Sequence, residues 1–306
     1  MKEQSGICPD ANEHALFLCI NRSKSTRSLE PIKRGVREVP KTLDDYAREH
    51  KDARLSGVVA IGARFWDECY PGARPVELSP FPALDCAGRV APHTPFDLLL
   101  HVRSERRDLN YIVGQRFIES LAGAAEVADE VHGFRYLDSR DLTGFVDGTE
   151  NPQGEHRREV ALVGAEDAAF AGGSYIHVQR YIHNLRAWNE LEVRSQEDII
   201  GRTKVDNIEY QSVDKAPTAH TKRTSLKDPD GESLEILRHS MPYGSTAESG
   251  LLFISYARTP KHFTLMLESM FKGDEHGNYD HLVSYTRAVT GAAFFAPSRD
   301  FLSSHT

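Results

Sequence analysis

The sequence predicts an α+β chain made of two ferredoxin-like halves, each a β-α-β-β-α-β unit with an antiparallel sheet. Three observations predict it. The stretch "FDLLLHVRSERRDLNYIVGQRFIESLAG" reads as a strand over Leu98–Val102, a basic turn and a helix. "GLLFISYARTPKHFTLMLESMFKG" repeats that order, with a strand over Leu251–Tyr256, Arg258 in the turn and a helix through Met270. Arg103 and Arg258 correspond, and the runs "HALFLCINR" and "GSYIHVQRY" open the halves at nearly the same offset. Self-similarity at a fixed offset marks an internal duplication.

Each element has a local reason. Leu109, Ile112, Val113, Phe117 and Leu121 recur every three to four residues and fall on one helical face. In the second half, "GSYIHVQRYI" leads to a helix around Arg186–Leu191, then to a short helix with Ser195 as N-cap and Asp198 three residues on. "TSLKDPDGESLEILRHS" reads as a hairpin turning at Asp228-Pro229-Asp230-Gly231. The halves meet near Asp138–Asp141, giving an N-terminal half over 1–140 and a C-terminal half over 141–306.

Bulk properties exclude several classes. At 306 residues the chain can build an ample core, and 40% hydrophobic with 27% charged residues is ordinary globular composition. A formal charge of −8 argues against a nucleic-acid partner, which favours a basic face. No apolar run approaches the roughly 20 residues of a membrane helix. The start has no sustained apolar run before a cleavage site, so no signal peptide is read. Cys8, Cys19, Cys69 and Cys86 have no CxxC or other short pairing, which points to reduced cytosolic thiols rather than zinc or disulfides.

The junction carries "DLTGFVDGTENPQGE", unusually rich in oxygen ligands. As a calcium loop counted from Asp147, with Thr149 and Asn151 alternating, it requires a sixth-position Gly and a twelfth-position Glu. Pro152 and Arg158 stand there instead. A breaker-rich turn explains the glycines but not the polarity. In "LEILRHSMPYG", alternation puts Leu234, Ile236 and Arg238 on one face with Ser240, and His239 on the other. Among 14 histidines, His177 and His183 read as packing or surface residues, and His262 and His276 as turn residues. His220, in "KAPTAHTKRTSL", immediately precedes the hairpin that bears Arg238.

"GFVDGTENP", "AHTKR", "LRHSMPYG" and "VTGAAFFAPS" together resemble the dye-decolorizing (DyP-type) haem peroxidases, nearest the bacterial B-type subgroup. "QSGI", "VQRYIHNLRAWNEL", "IGRTK" and "SMFKGD" fit as well, so the resemblance spans nearly the whole chain. It implies a haem b in each chain, with His220 as proximal iron ligand and Asp280 orienting its imidazole. It places Asp147 and Arg238 over the distal face, with Ser240 two residues beyond the Arg, and His239 turned away. It implies hydrogen peroxide and a bulky aromatic reducing substrate as partners, with electrons passing through surface Tyr or Trp residues, among eleven Tyr and the two Trp, Trp66 and Trp188. The alternative is a haem-binding or haem-handling protein without turnover, which would keep His220 but not need Asp147 and Arg238 together. Some B-type relatives are shell cargo addressed by a C-terminal tail. Here "SRDFLSSHT" closely follows the "FFAPS" block, so the expectation is a free cytoplasmic homo-oligomer, a dimer.

Overall fold

The computed structural model describes residues 1–305. The first half runs β1 (His14–Arg22), α1 (Glu30–Glu49), β2 (Ser56–Gly62), α2 (Trp66–Cys69), β3 (Leu84–Cys86), β4 (Arg89–Ala91), β5 (Leu98–Ser104), α3 (Arg107–Ser120) and β6 (Ala125–Phe134). After α4 (His156–Ala161) come β7 (Ser174–His183), α5 (Leu185–Asn189), α6 (Val193–Ile200) and α7 (His220–Thr224). The chain continues through β8 (Leu237–Arg238), β9 (Met241–Gly244), β10 (Ser249–Ala257) and α8 (Lys261–Phe271). It ends with β11 (Thr286–Ala288), β12 (Ala292–Ala296) and α9 (Arg299–Ser304).

The strands join in the order β6-β1-β5-β2-β12-β7-β10-β8. The first four are strands four, one, three and two of a β-α-β-β-α-β unit, and the last four repeat that order. Antiparallel pairing of β12 with β2 connects the halves, Phe294 opposite Gly62 and Phe295 opposite Ile61. On one face of the first half, α1 and α3 bury Ile32, Val36, Leu109 and Val113 against Leu16, Leu18 and Leu100. The other face joins the second half in a common core, Phe17, Val58 and Leu99 meeting Ile176, Leu252 and Ile254. Across that core His101 Nδ1 and the Tyr256 hydroxyl lie 2.7 Å apart, 155 residues apart in sequence. The duplicated positions therefore touch.

Three local expectations change. Ser195 lies inside α6, because Glu192 is extended and the chain turns helical at Val193. The hairpin is short: Leu234 N–H donates to Leu226 O (2.9 Å), and the Asp228 carboxylate accepts from the Asp230 and Glu232 amides. Its return arm is regular only as β8, which pairs with β10 and not with the outgoing arm. Arg103 belongs to β5 and is buried, whereas Arg258 is exposed and ion-paired with Glu166 at 2.9 Å. Equal offset does not mean equal environment.

The β7–β10 pair backs the cavity described next, and Gly250 lets the two backbones approach. A Cβ there would lie 1.9 Å from the Tyr181 carbonyl oxygen, against backbone that cannot rotate away. Gly250→Ala is expected to cost about 2–3 kcal/mol through overpacking, measured by chemical denaturation against wild type.

Candidate active site

Helices α6, α7 and α8 stand over the β7–β10 face of the second half, and a cavity lies between them. Phe253, Phe263, Met266 and Leu267 make its lining largely apolar. Asp147, Arg238, Ser240 and His220 also line it. The structure thus brings together four of the five residues singled out in the sequence, and the fifth, Asp280, lies directly behind His220.

The Asp147 loop is fixed from several sides. Phe145 is buried against Trp188, whose indole N–H donates to Thr143 O at 2.9 Å. Arg140 donates to Gly144 O (2.8 Å), and the Asp147 amide donates to Ser139 O (3.0 Å). Gly144 and Gly148 have φ of 89° and 76°, a region that L side chains rarely adopt. A Cβ on Gly144 would also run into the Lys204 side chain at 2.6 Å. The loop is built for its backbone. Asp147 Oδ1 accepts from the Gly148 amide at 2.7 Å.

Asn151 joins that loop to β8. Its Nδ2 donates to Arg238 O at 2.8 Å, and its Oδ1 accepts from Arg238 N–H at 2.9 Å. An amide side chain here takes the place of a neighbouring strand. Arg238 has no ion pair among the described residues, and its Nε is buried without a partner. Ser240 Oγ accepts from the Ile254 amide (3.2 Å). His239 points the other way, its Nε2 2.8 Å from Ile7 O in the inter-sheet core.

His220 begins α7, with Nδ1 2.6 Å from Asp280 Oδ2. Asp280 is fully buried, and its Oδ1 accepts from the Leu282 amide (2.9 Å). With Nδ1–H donating to this carboxylate, His220 Nε2 is left as a free electron pair.

Burial pushes the Asp147 carboxyl up, against the pull of the Arg238 guanidinium. Burial works the same way on neighbouring Asp141. There, hydrogen bonding to His183 and Thr143 outweighs it, and the carboxyl stays below its usual range. Two nearby carboxyls are driven apart, and Asp147 is the more basic of the two, hence the better proton acceptor.

The sequence reading missed His183 and Asp141. His183 Nε2 lies 3.1 Å from Asp141 Oδ1 and its Nδ1 2.8 Å from Thr286 Oγ1, and both residues line the cavity. Strand alternation was an available signal, since Gln179, Tyr181 and His183 share the cavity face of β7. His177 is a core residue, stacked on Phe263 at 4.1 Å between centroids. Burial lowers its imidazole to about 3.

An imidazole oriented by a buried carboxylate, sharing an apolar chamber with a carboxyl of raised basicity and an unpaired guanidinium, is the equipment of a peroxidase. The chain belongs to the Dyp-type peroxidase family: the model of its N-terminal part matches residues 4–135 and that of its C-terminal part residues 138–301. A dye-decolorizing peroxidase of Mycolicibacterium paratuberculosis is 47% identical over 251 residues, 81% of this chain and 71% of that protein. A dyp-type peroxidase protein from Shewanella oneidensis superimposes with a TM-score of 0.95 at 51% identity, covering 98% of this chain and 97% of the other. A DypB variant from Rhodococcus jostii RHA1, solved in complex with heme, gives 0.95 at 41% identity, covering 99% and 98%.

Two outcomes follow from this geometry. Asn151→Ala removes both bonds to the Arg238 backbone and is expected to lower stability by about 1–3 kcal/mol, read by denaturation. Asp147→Asn is expected to stabilise the protein at neutral pH. A carboxyl whose folded pKa is raised above its unfolded value loses stability as pH rises through the folded pKa, so the variant's advantage vanishes on acidification below the ordinary aspartate range. Denaturation curves at stepped pH measure it.

Proposed function

We propose that this chain is a haem-dependent peroxidase in which His220 holds the iron, Asp147 moves the peroxide proton and Arg238 stabilises the charge of the breaking O–O bond. The observation that carries this reading is the 2.6 Å His220–Asp280 contact beside a cavity also lined by Asp147 and Arg238. The cavity suits haem. Its walls are apolar, its Arg238 Nε is an orphaned buried donor, and its adjoining mouth is polar, with Thr221, Ser225 and Lys227 to meet carboxylate groups.

Haem, when bound, supplies the redox-active iron at which hydrogen peroxide is reduced and aromatic donors are oxidised one electron at a time. His220 would present Nε2 to it, with the ring's orientation and tautomer held by Asp280. Asp147 takes the proton from the inner peroxide oxygen and returns it to the outer one. Its loop anchors keep it from swinging aside. Arg238 presents its guanidinium, free of any ion pair among the described residues, where negative charge develops. Ser240 braces β8 against β10 next to Arg238. A carrier of haem would use His220 but gain nothing from an unpaired guanidinium beside a carboxyl that can relay a proton. The reading includes halves over 1–140 and 141–306, supported by the repeated strand order, and a homodimeric, cytoplasmic protein. Light scattering on the haem-loaded protein tests the dimer.

His220→Ala is expected to lose most of its haem or to show an altered iron spectrum; unchanged content and spectrum would refute the ligand assignment. Arg238→Leu is expected to slow the reaction with peroxide by about 10²–10³, as for loss of one oxyanion donor. Asp147→Asn is expected to slow it by about 10–10², since water partly replaces a proton relay. Stopped-flow mixing with peroxide, following the haem band, ranks the two.

A further inference from the structure

A second cavity, of about 390 Å³, shares Asp147, Arg238 and Ser240 with the first but opens along the ends of β5 and β6. It lies within the size range of small-molecule sites. Four arginines at its rim are already neutralised: Arg54 by Glu105, Arg135 by Glu13, Arg140 by Asp138 and Arg157 by Asp10. Arg103, at the end of β5, is different. It is 2% exposed, makes no ion pair among the described residues, and keeps Nε and Nη2 buried without a partner.

A guanidinium in that position is costly, because burial removes its hydration and nothing in the protein replaces it. Burial brings Arg103 down only to about 10, so it stays charged at neutral pH. The neighbouring His101 and His239 are no counter-ions, since burial and the Arg103 charge keep both imidazoles neutral. Of the carboxylates facing the cavity, Glu13 is taken by Arg135, and the guanidinium that acts most on Asp147 is Arg238, not Arg103. One side of the wall is apolar and partly aromatic, with Phe134, Tyr136, Met241 and Pro242, and Asn12, Ser139 and Gln153 line the rest. The site lacks an anion, and its walls suit a ring.

We propose that this cavity binds a single-ring aromatic carboxylate, its carboxylate paired with Arg103 and its ring against Phe134, Tyr136 and Met241. Bound there, the ligand supplies the missing counter-charge and lies next to Asp147 and Arg238 without entering the haem chamber. Its binding does not depend on the peroxidase reading. Failure of peroxide turnover would leave it standing.

Calorimetric titration of benzoate into the haem-loaded protein at neutral pH tests it, with acetate and benzamide as comparisons. Benzoate is expected to bind at one saturable site, at least tenfold tighter than acetate, which lacks the ring, or benzamide, which lacks the charge. Arg103→Leu is expected to weaken benzoate at least tenfold while leaving the haem spectrum unchanged, and Arg103→Lys to restore part of the affinity. Removing an unpaired buried charge favours folding, so Arg103→Leu is also expected to melt higher than wild type. The proposal is overturned if wild type shows no saturable benzoate binding, or if benzamide or acetate binds equally well. Benzoate binding that is indifferent to Arg103→Leu overturns it too. Should that variant not fold, the three-ligand comparison on wild type decides.

Discussion

The catalytic wall depends on one side-chain amide. Asn151 completes both backbone hydrogen bonds of Arg238, so the junction loop is fastened to β8 through an imitation of strand pairing. Without it, β8 would be a two-residue strand bonded on one side only. Asp147 sits four residues before Asn151, with the Gly148 turn between, and the Asn151 amide donates to Gly148 O at 3.0 Å. The separation of carboxyl and guanidinium is therefore set by a short stretch of backbone and two hydrogen bonds, not by an ion pair. An ion pair would fix the two groups as well, but it would spend the charge that the reaction needs.

That arrangement has a cost carried elsewhere. Arg238 and Arg103 are guanidiniums without counter-ions, and Asp147 is a carboxyl raised by burial. Arg103 and the buried Nε of Arg238 oppose the native state, since uncompensated buried charge costs stability. The compensation is the common core between the half-sheets, where Phe17, Ile176, Leu252 and Phe294 are almost fully buried. Burying such a side chain contributes about 1.5–3 kcal/mol, so a few of them offset each charge.

The duplication was legible because strand and helix periodicities survive divergence: the repeated strand–helix order, the repeat offset and the split of Ile236 and Arg238 from His239 all stand in the structure. What was hidden depends on contacts across long separations. Asn151 looked like a turn residue beside Pro152, because its partner lies 87 positions away. Strand alternation could put His183 on the cavity face of β7, but not show that Asp141 and Thr286 would meet its two nitrogens. Arg103 read as the start of a basic turn, because three preceding Leu and a Val do not reveal where a strand stops. The N-cap assigned to Ser195 failed for a local reason: Glu192 already provided the extended residue from which α6 starts.

The two halves repeat one topology, yet the second encloses a chamber between sheet and helices, and the reason lies in the connection between its first two strands. In the first half that connection is dominated by α1, a single helix of 20 residues whose Ile32, Val36, Val39 and Leu43 fill the space over the sheet. In the second half the equivalent path, residues 184–236, is divided into α5, α6 and α7, of five, eight and five residues. Short helices cannot lay a continuous apolar stripe along a sheet. They leave the β7–β10 face uncovered between them, and they place helix ends over it instead of helix sides. His220 stands at such an end, as the first residue of α7, on a segment further tied down where the His281 amide donates to Thr218 O. Breaking up one helix thus both opened the space and supplied the residue that addresses whatever enters it.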